Sequence, residues 1–476
     1  MLGTKRLARK GSILGVVVTG ALLLTSCIEG PITGATNVPM GIDVTRVGYQ
    51  QSEFFLGNYA DAYTSDAPLT SDGRWDGVSV DAATSQVRFK TRLVVARPAD
   101  PAKFNGTVIV EWLNVTAGSD LPNGWTAAHT EFVRSGAMWV GVSAQLTGVN
   151  QAKSFSPARY GSLDHPGDSY SYDIFTKAAK AIRTDRKVTG GLKPRRLIAT
   201  GQSQSASRLV TYINAIQPIS NAFNGFLVHS RGVTGSALSQ SPLTAIAAPS
   251  PSLIRDDLDV PVFVVQAEDD VIRSNLAIRQ ADTTRFRQWE LAGTAHADAY
   301  MSNVGFSDLG DGTGATRMFN LMRNPNPPPT GCSLPMNAGG LSWTLRAAFN
   351  HLDAWMRTGT PPPVGPLLEV ESTTPTVLER DGVGNAVGGV RSPQVDTPVA
   401  TVDGLNSGPG FCRLFGSTTP LTTAELSTRY GTSENFVNAW STSLDELVTG
   451  GFLLQVDADE LLVAAQTANI LPVVTD

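Results

Sequence analysis

Cysteine is scarce in this chain, with three in 476 residues. Neither Cys332 nor Cys412 has a histidine or another cysteine at metal-ligand spacing, so no zinc site is expected. Histidine is scarce too: there are five, which limits the residues able to act as a base near neutral pH. Charge is low at 17%, and the net of -5 argues against a nucleic-acid partner and against electrostatic attachment to a membrane. Long apolar runs are missing as well. Apart from twelve residues near the start, Ile13 to Leu24, nothing resembles a membrane span, and twelve are too few to cross a bilayer comfortably. No internal repeat is present. What remains is a globular composition, 41% hydrophobic, long enough for one large or two ordinary domains with a sizeable core.

The short apolar run has an address. Lys5, Arg6, Arg9 and Lys10 precede it, and Leu24-Thr25-Ser26-Cys27 closes it. A basic start, an apolar middle and a small-residue end make a secretion signal. The last four residues resemble a bacterial lipobox. The expectation is a signal peptide over 1–26, lipid on Cys27, and an exported protein held to the outer face of the membrane in the bacterial cell envelope. An ordinary signal cut near Ser26 is the alternative. Loss of the four basic residues moves the net charge from -5 to -9. Residues 27–40, rich in Gly, Thr and Pro, read as a tether. With Cys27 lipidated, Cys332 and Cys412 remain as a pair that can form one disulfide in an exported chain, two unrelated thiols being the alternative.

Beyond residue 41 the pattern is α/β. Val44 to Tyr63 and Val87 to Ala96 suggest antiparallel strands opening a sheet. Short strand-like runs follow at Gly106–Asn114, which is strongly apolar, and at Ala137–Ser143, Gly225–Val228, Val260–Gln266 and Phe286–Leu291. Helical spacing appears at Ala127–Ser135, Tyr172–Arg183 and Ser342–Arg357, the last stopped by Gly359 and a run of prolines. Apolar strands alternating with helices mean a mostly parallel sheet covered on both faces. From about Pro361 the tail is less regular. Thr422 to Glu425 and Asp457 to Glu460 fit capping boxes, so two or three helices are expected to pack on the main domain, a separate C-terminal domain being the alternative.

The chemistry centres on Gly201-Gln202-Ser203-Gln204-Ser205. An apolar run from Arg196 leads into it, and Ala206, Leu209, Val210, Ile213 and Ile216 share a helical face after it. This strand–turn–helix context is that of a nucleophile elbow, with Ser205 where a final glycine is usual. A serine hydroxyl needs a neighbouring base, and the base needs a carboxylate to fix its tautomer. In a hydrolase elbow protein the order is serine, acid, histidine. His296 lies in a loop of small residues just after an apolar strand, and is the expected base. His229 could line the pocket, while His129, His165 and His351 sit on helices or a turn. The acid should follow the strand ending at Gln266. A Gly-x-x-Asp pattern laid on Ala267-Glu268-Asp269-Asp270 selects Asp270, with Glu268 as its competitor. The oxyanion donors should be the amide of Gln204 and one from the loop after Trp112, at Leu113 or Asn114. Glu111 and Trp112 could instead be structural. The stretches Val115–Gly124 and Gly148–Tyr172 are expected to shape the pocket.

Several segments together resemble a family of large secreted α/β-hydrolase-domain proteins. They are Phe104-Asn105-Gly106 through Glu111-Trp112-Leu113-Asn114-Val115, the elbow through Leu209, Gln266 to Asp270, Trp289 to Asp298, and Gly388-Gly389-Val390-Arg391-Ser392-Pro393. The resemblance spans about residues 45 to 465. It implies an α/β-hydrolase fold with a serine triad and a single elaborated domain, and it implies no substrate. Both Glu268 and Asp270 match its pattern. The expected activity is hydrolysis of a carboxylic ester, of small-molecule or polymer origin, through an acyl-enzyme and without metal or organic cofactor. An amidase, peptidase or acyltransferase using the same triad, and a catalytically silent binding lipoprotein, are the alternatives.

Overall fold

A computed structural model describes residues 27–273 and 275–471. The expected signal peptide lies outside the described residues. Nine strands form one sheet: β1 (Cys27–Glu29), β2 (Tyr49–Ala60), β3 (Val87–Pro98), β4 (Thr107–Trp112), β5 (Met138–Val142), β6 (Arg196–Gln202), β7 (Gly225–His229), β8 (Val262–Ala267) and β9 (Phe286–Leu291). Their spatial order is β1-β2-β3-β5-β4-β6-β7-β8-β9. The pairings β1–β2, β2–β3 and β3–β5 are antiparallel, and of these β2–β3 is the pair expected to open the sheet. From β5 to β9 every pairing is parallel.

These parallel strands are buried almost throughout because both faces of the sheet are covered. Alternate side chains point to opposite faces. Val108, Val110, Leu197, Ala199, Phe226 and Val228 enter one core, and Ile109, Ile198, Leu227, Phe263 and Val265 enter the other. The first core is closed by Tyr172, Phe175, Leu209 and Ile213, the second by Trp125, Phe132, Trp343 and Phe349.

The helices that matter for the site are α1 (Asn123–Ser135), α2 (Ser171–Thr184), α3 (Gln204–Thr211), α4 (Glu268–Ile272), α5 (Thr313–Arg323), α6 (Leu341–Thr358), α7 (Ser433–Gly450) and α8 (Gln455–Thr467). Glycine in the left-handed region stops α1 at Gly136 and α6 at Gly359, where it costs little. Glu111 and Trp112 are structural. The Glu111 carboxylate accepts the first amides of α1, Gly124 at 2.7 Å and Trp125 at 2.9 Å, and the Trp139 indole at 2.8 Å. Trp112 is buried against Tyr172 and Phe175.

The tail shares the second core. Phe436, Trp440 and Leu444 of α7 and Leu461 of α8 pack in the same cluster as α1 and α6, and Trp440 meets Phe319 of α5 edge-on at 5.3 Å. The Thr422–Glu425 capping box is present. The second expected box is not: α8 begins at Gln455, and Asp457 is buried inside it, ion-paired to Arg134 at 2.8 Å and to Arg346 at 2.9 Å. Buried Arg346 and half-buried Arg134 drew that aspartate inward, which local sequence does not show.

Residues 27–40 are not a free tether. β1 pairs with β2, Ile28, Val38 and Met40 are buried, and the Trp125 indole donates to the Met40 carbonyl. Apolar side chains hidden among Gly, Thr and Pro anchor the segment to the body. Cys27 is exposed, with an unpaired thiol. Cys332 and Cys412 form a disulfide, with Cα atoms 5.3 Å apart. Among the described residues no helix is long and apolar enough to cross a membrane.

Candidate active site

Ser203 stands between β6 and α3 with φ 63° and ψ -118°, a conformation that costs a non-glycine residue about 1–3 kcal/mol. Its amide donates to the His229 carbonyl at 3.0 Å and its carbonyl accepts from Ser207 at 3.0 Å, so both neighbours over-determine the turn. The unusual Ser205 is accommodated by Gly201. A Cβ on Gly201 would lie 2.9 Å from the Ser205 Cβ, so the glycine before the nucleophile leaves the room for the side chain after it. Ala206, Leu209, Val210, Ile213 and Ile216 are all buried, as the helical spacing demands. Gln204 opens α3, and an amide at that position has no carbonyl within the helix to bond.

The structure brings Ser203, His296 and Asp270 together. His296 Nε2 lies 2.7 Å from Ser203 Oγ, and Nδ1 lies 2.7 Å from Asp270 Oδ1. The other Asp270 oxygen accepts the Ala267 amide at 3.0 Å, which fixes the carboxylate at the start of α4. Burial acts to raise the Asp270 pKa, but His296 and Arg273 overcome it and hold the carboxyl below the usual aspartate value. Asp269 is turned to the loop instead, accepting the His296 amide at 2.8 Å.

Glu268 is occupied elsewhere. It accepts Gly293 at 2.6 Å, Gly404 at 3.1 Å and the Arg380 guanidinium at 2.7 Å. It thus joins the histidine loop to the tail, and burial pushes its pKa up to about 7. Three successive acids therefore take three different jobs, because one turn of helix sends neighbouring side chains in different directions.

Three of the remaining histidines are bound to main chain: His129 to Asp308 and Trp125, His165 to Ala144 and Gly167, His351 to Gly451. His229 is buried behind the elbow, and burial pushes its pKa down to about 4, so its ring is neutral. The Asn114 main chain is not an open donor. Its amide bonds the Leu121 carbonyl at 3.0 Å, and its side chain bonds Gln202 and Thr116, so Asn114 braces the loop. The β-bridge between Asn114 and Leu121 consumed the amide that the loop position had suggested.

Two cavities meet at Ser203 and His296, one of about 300 Å³ and one of about 780 Å³. Thr116, Leu121 and Pro122 line the smaller, as expected of their loop. The stretch Gly148–Tyr172 lines neither, because Glu53 of β2 holds Arg159 and Tyr160 at 2.9 and 3.1 Å. Phe411 and Leu414, beside the disulfide, line both cavities instead.

Two site residues escaped the sequence reading. Gln202 donates to the His296 carbonyl at 3.1 Å and accepts Asn123 at 2.8 Å, tying elbow, histidine loop and α1. Arg273 pairs with Asp269 at 2.9 Å and Asp270 at 3.2 Å. Its spacing of four and three residues from those acids was the available signal. Asp269, Asp270 and His296 lie close enough to hold a metal ion. Arg273 already brings a positive charge to that cluster, and Asp270 and His296 are bonded to each other.

Solved structures similar to this chain include a serine hydrolase without a lid, XC6422 from Xanthomonas campestris. It is 12% identical, with 42% of this chain and 78% of that chain covered and a TM-score of 0.26. An esterase from Pyrobaculum calidifontis is 15% identical over 42% of this chain and 72% of its own, with a TM-score of 0.25. The esterase Est22 is 12% identical over 51% and 72%, with a TM-score of 0.27. Likeness of this size decides nothing about the site. No curated protein sequence matches this chain. The sequence model of the alpha/beta hydrolase domain matches residues 28–463, nearly every described residue, and the protein belongs to that family.

Proposed function

We propose that this protein is an exported serine hydrolase that cleaves a carboxylic ester through an acyl-enzyme. The observation that carries the reading is the relay from Asp270 through His296 to Ser203, 2.7 Å at each step. With a proton on Nδ1 directed at Asp270, His296 Nε2 is left to accept from the serine hydroxyl. Ser203 Oγ attacks the ester carbonyl carbon as its proton passes to Nε2. The tetrahedral oxyanion forms beside the Gln204 amide at the positive end of α3. Collapse breaks the carbon–alcohol bond, and His296 returns the proton to the departing alkoxide. Water, giving its proton to His296, then attacks the acyl carbon; collapse breaks the acyl–Oγ bond, and His296 returns the proton to Ser203 as the acid leaves. Asp270 keeps the imidazolium favourable throughout.

Lipidation at Cys27 belongs to the same reading. The basic and apolar leader, the lipobox-like ending and the exposed thiol of Cys27 support it.

Matched p-nitrophenyl esters and anilides test the reaction. Ester turnover that disappears in Ser203→Ala, with labelling of Ser203 by a fluorophosphonate, is expected. Undiminished turnover in Ser203→Ala would sink the mechanism, and faster anilide cleavage would make the protein an amidase. Incorporation of labelled palmitate in bacterial cells, lost in Cys27→Ser, tests the anchor.

A further inference from the structure

The two cavities at Ser203 differ in character. The smaller is lined by Leu121, Met301 and Phe306 and, among the described residues, by no acid, lysine or arginine. The larger is lined by Arg231, Arg273 and Arg413, and among the described residues Asp270 is its one carboxylate. These cations are not equivalent. Arg273 is committed to Asp269 and Asp270. Arg231 is buried and donates to the carbonyls of Gly232 and Ser252. Arg413 is exposed and makes no ion pair or hydrogen bond with a described residue.

An exposed arginine is ordinarily a solvated surface group. Arg413 differs in where it stands. It lines the cavity that the proposed nucleophile also lines, and the neighbouring Cys412 is bonded to Cys332, which fixes its main chain. The carboxylates nearby are already answered by Arg273 and His296, so a substrate anion would meet attraction from Arg413 without losing it to a protein acid. One uncommitted guanidinium suits a monoanion with a planar, two-oxygen face.

We propose that the larger cavity is a carboxylate subsite. The substrate is an ester with one apolar arm, seated in the smaller cavity, and one arm carrying a carboxylate that pairs with Arg413. This rests on the ester-hydrolase reading above and names its substrate class.

Two matched pairs of esters test it, one with the charge on the acyl arm and one with it on the alcohol arm. They are p-nitrophenyl butyrate against p-nitrophenyl hydrogen glutarate, and phenyl butyrate against 4-carboxyphenyl butyrate. The readout is the ratio of kcat/KM, charged over neutral, in wild type, Arg413→Gln and Arg413→Glu, each checked for native circular dichroism. In one pair the wild-type ratio should exceed that of Arg413→Glu by about tenfold, with Arg413→Gln between. Equal ratios in all three proteins for both pairs would overturn the subsite while leaving Ser203-dependent hydrolysis in place. A binding measurement separates the two ideas from the other side. Calorimetric binding of monobutyl glutarate to the Ser203→Ala protein needs no turnover. Binding that falls about tenfold with the added Arg413→Glu supports the subsite even if no ester is cleaved. No binding to the Ser203→Ala protein would overturn it.

Discussion

The His296 main-chain amide donates to Asp269 Oδ1 at 2.8 Å, while the next residue, Asp270, takes the ring of the same histidine. Two adjacent carboxylates thus fix the backbone and the side chain of one residue. The division separates orientation of the loop from stabilisation of a charged imidazole. Asp270→Asn should lower kcat by about 10⁴-fold with little change in KM, the size seen when a triad acid loses its charge. Glu268→Gln should cost stability and retain most of kcat. Steady-state kinetics of the two variants check this, and a larger kcat loss in Glu268→Gln would reassign the acid.

Ser205 is buried, and its hydroxyl has no partner among the described residues. A buried hydroxyl without a hydrogen bond costs about 1–3 kcal/mol. Ser205→Ala should therefore keep kcat and raise stability by about 1 kcal/mol in urea unfolding. Ser205→Val should do the opposite, because residue 205 is fully buried and a larger side chain must displace packed neighbours.

Glu111 bonds three N–H groups from inside the core. Glu111→Ala strands the Trp139 indole and two amides at the start of α1, and should destabilise by about 3 kcal/mol or more. Chemical denaturation measures it. A loss under 1 kcal/mol would mean that water replaces the carboxylate.

Asp298 follows the histidine by two residues, and burial pushes its carboxyl up to about 7. One oxygen accepts the Met301 amide at 2.9 Å, and the other has no partner among the described residues. An unfolded chain releases that proton near pH 4. Folding must therefore take up a proton between about pH 4 and 7. Stability from this group is fullest below that window and falls as pH rises through it, by up to about 1.4 kcal/mol per unit. Asp298→Asn should make the fall in stability between pH 4 and 7 shallower, with Glu268 still contributing to it. A slope unchanged by the substitution would refute the assignment.

The Cys332–Cys412 bond closes a loop with a sequence separation of 80. Constraint of the unfolded chain predicts a loss of about 4 kcal/mol on its removal. Because Phe411 and Leu414 line both cavities beside Cys412, the Cys332→Ser/Cys412→Ser double variant should also raise KM more than it lowers kcat. An unchanged KM would show that the wall stands without the bond.

Much of this protein is local in origin. The alternating cores follow from apolar runs whose neighbours point to opposite faces, so the parallel sheet was legible from Gly106 onward. The elbow was legible because a strand, a small-residue turn and a helical face are adjacent in the chain. The order of Ser203, the acidic turn and His296 needed no distances. What sequence left open were choices among near neighbours. Glu268 and Asp270 differ by two positions on one helical turn, and only Arg380, Gly293 and Gly404, far apart in the chain, draw Glu268 away. Asn114 lost its amide to Leu121, Asp457 was pulled inward by Arg134 and Arg346, and residues 27–40 were captured by the sheet edge at Cys27–Glu29 and by the core at Val38 and Met40. Periodicity and turn chemistry act between residues close in sequence, so the chain itself fixed strands, helices and the elbow. The partners of each buried charge come from distant segments, and only their meeting in the folded protein decided which acid faces His296 and which arginine faces the cavity.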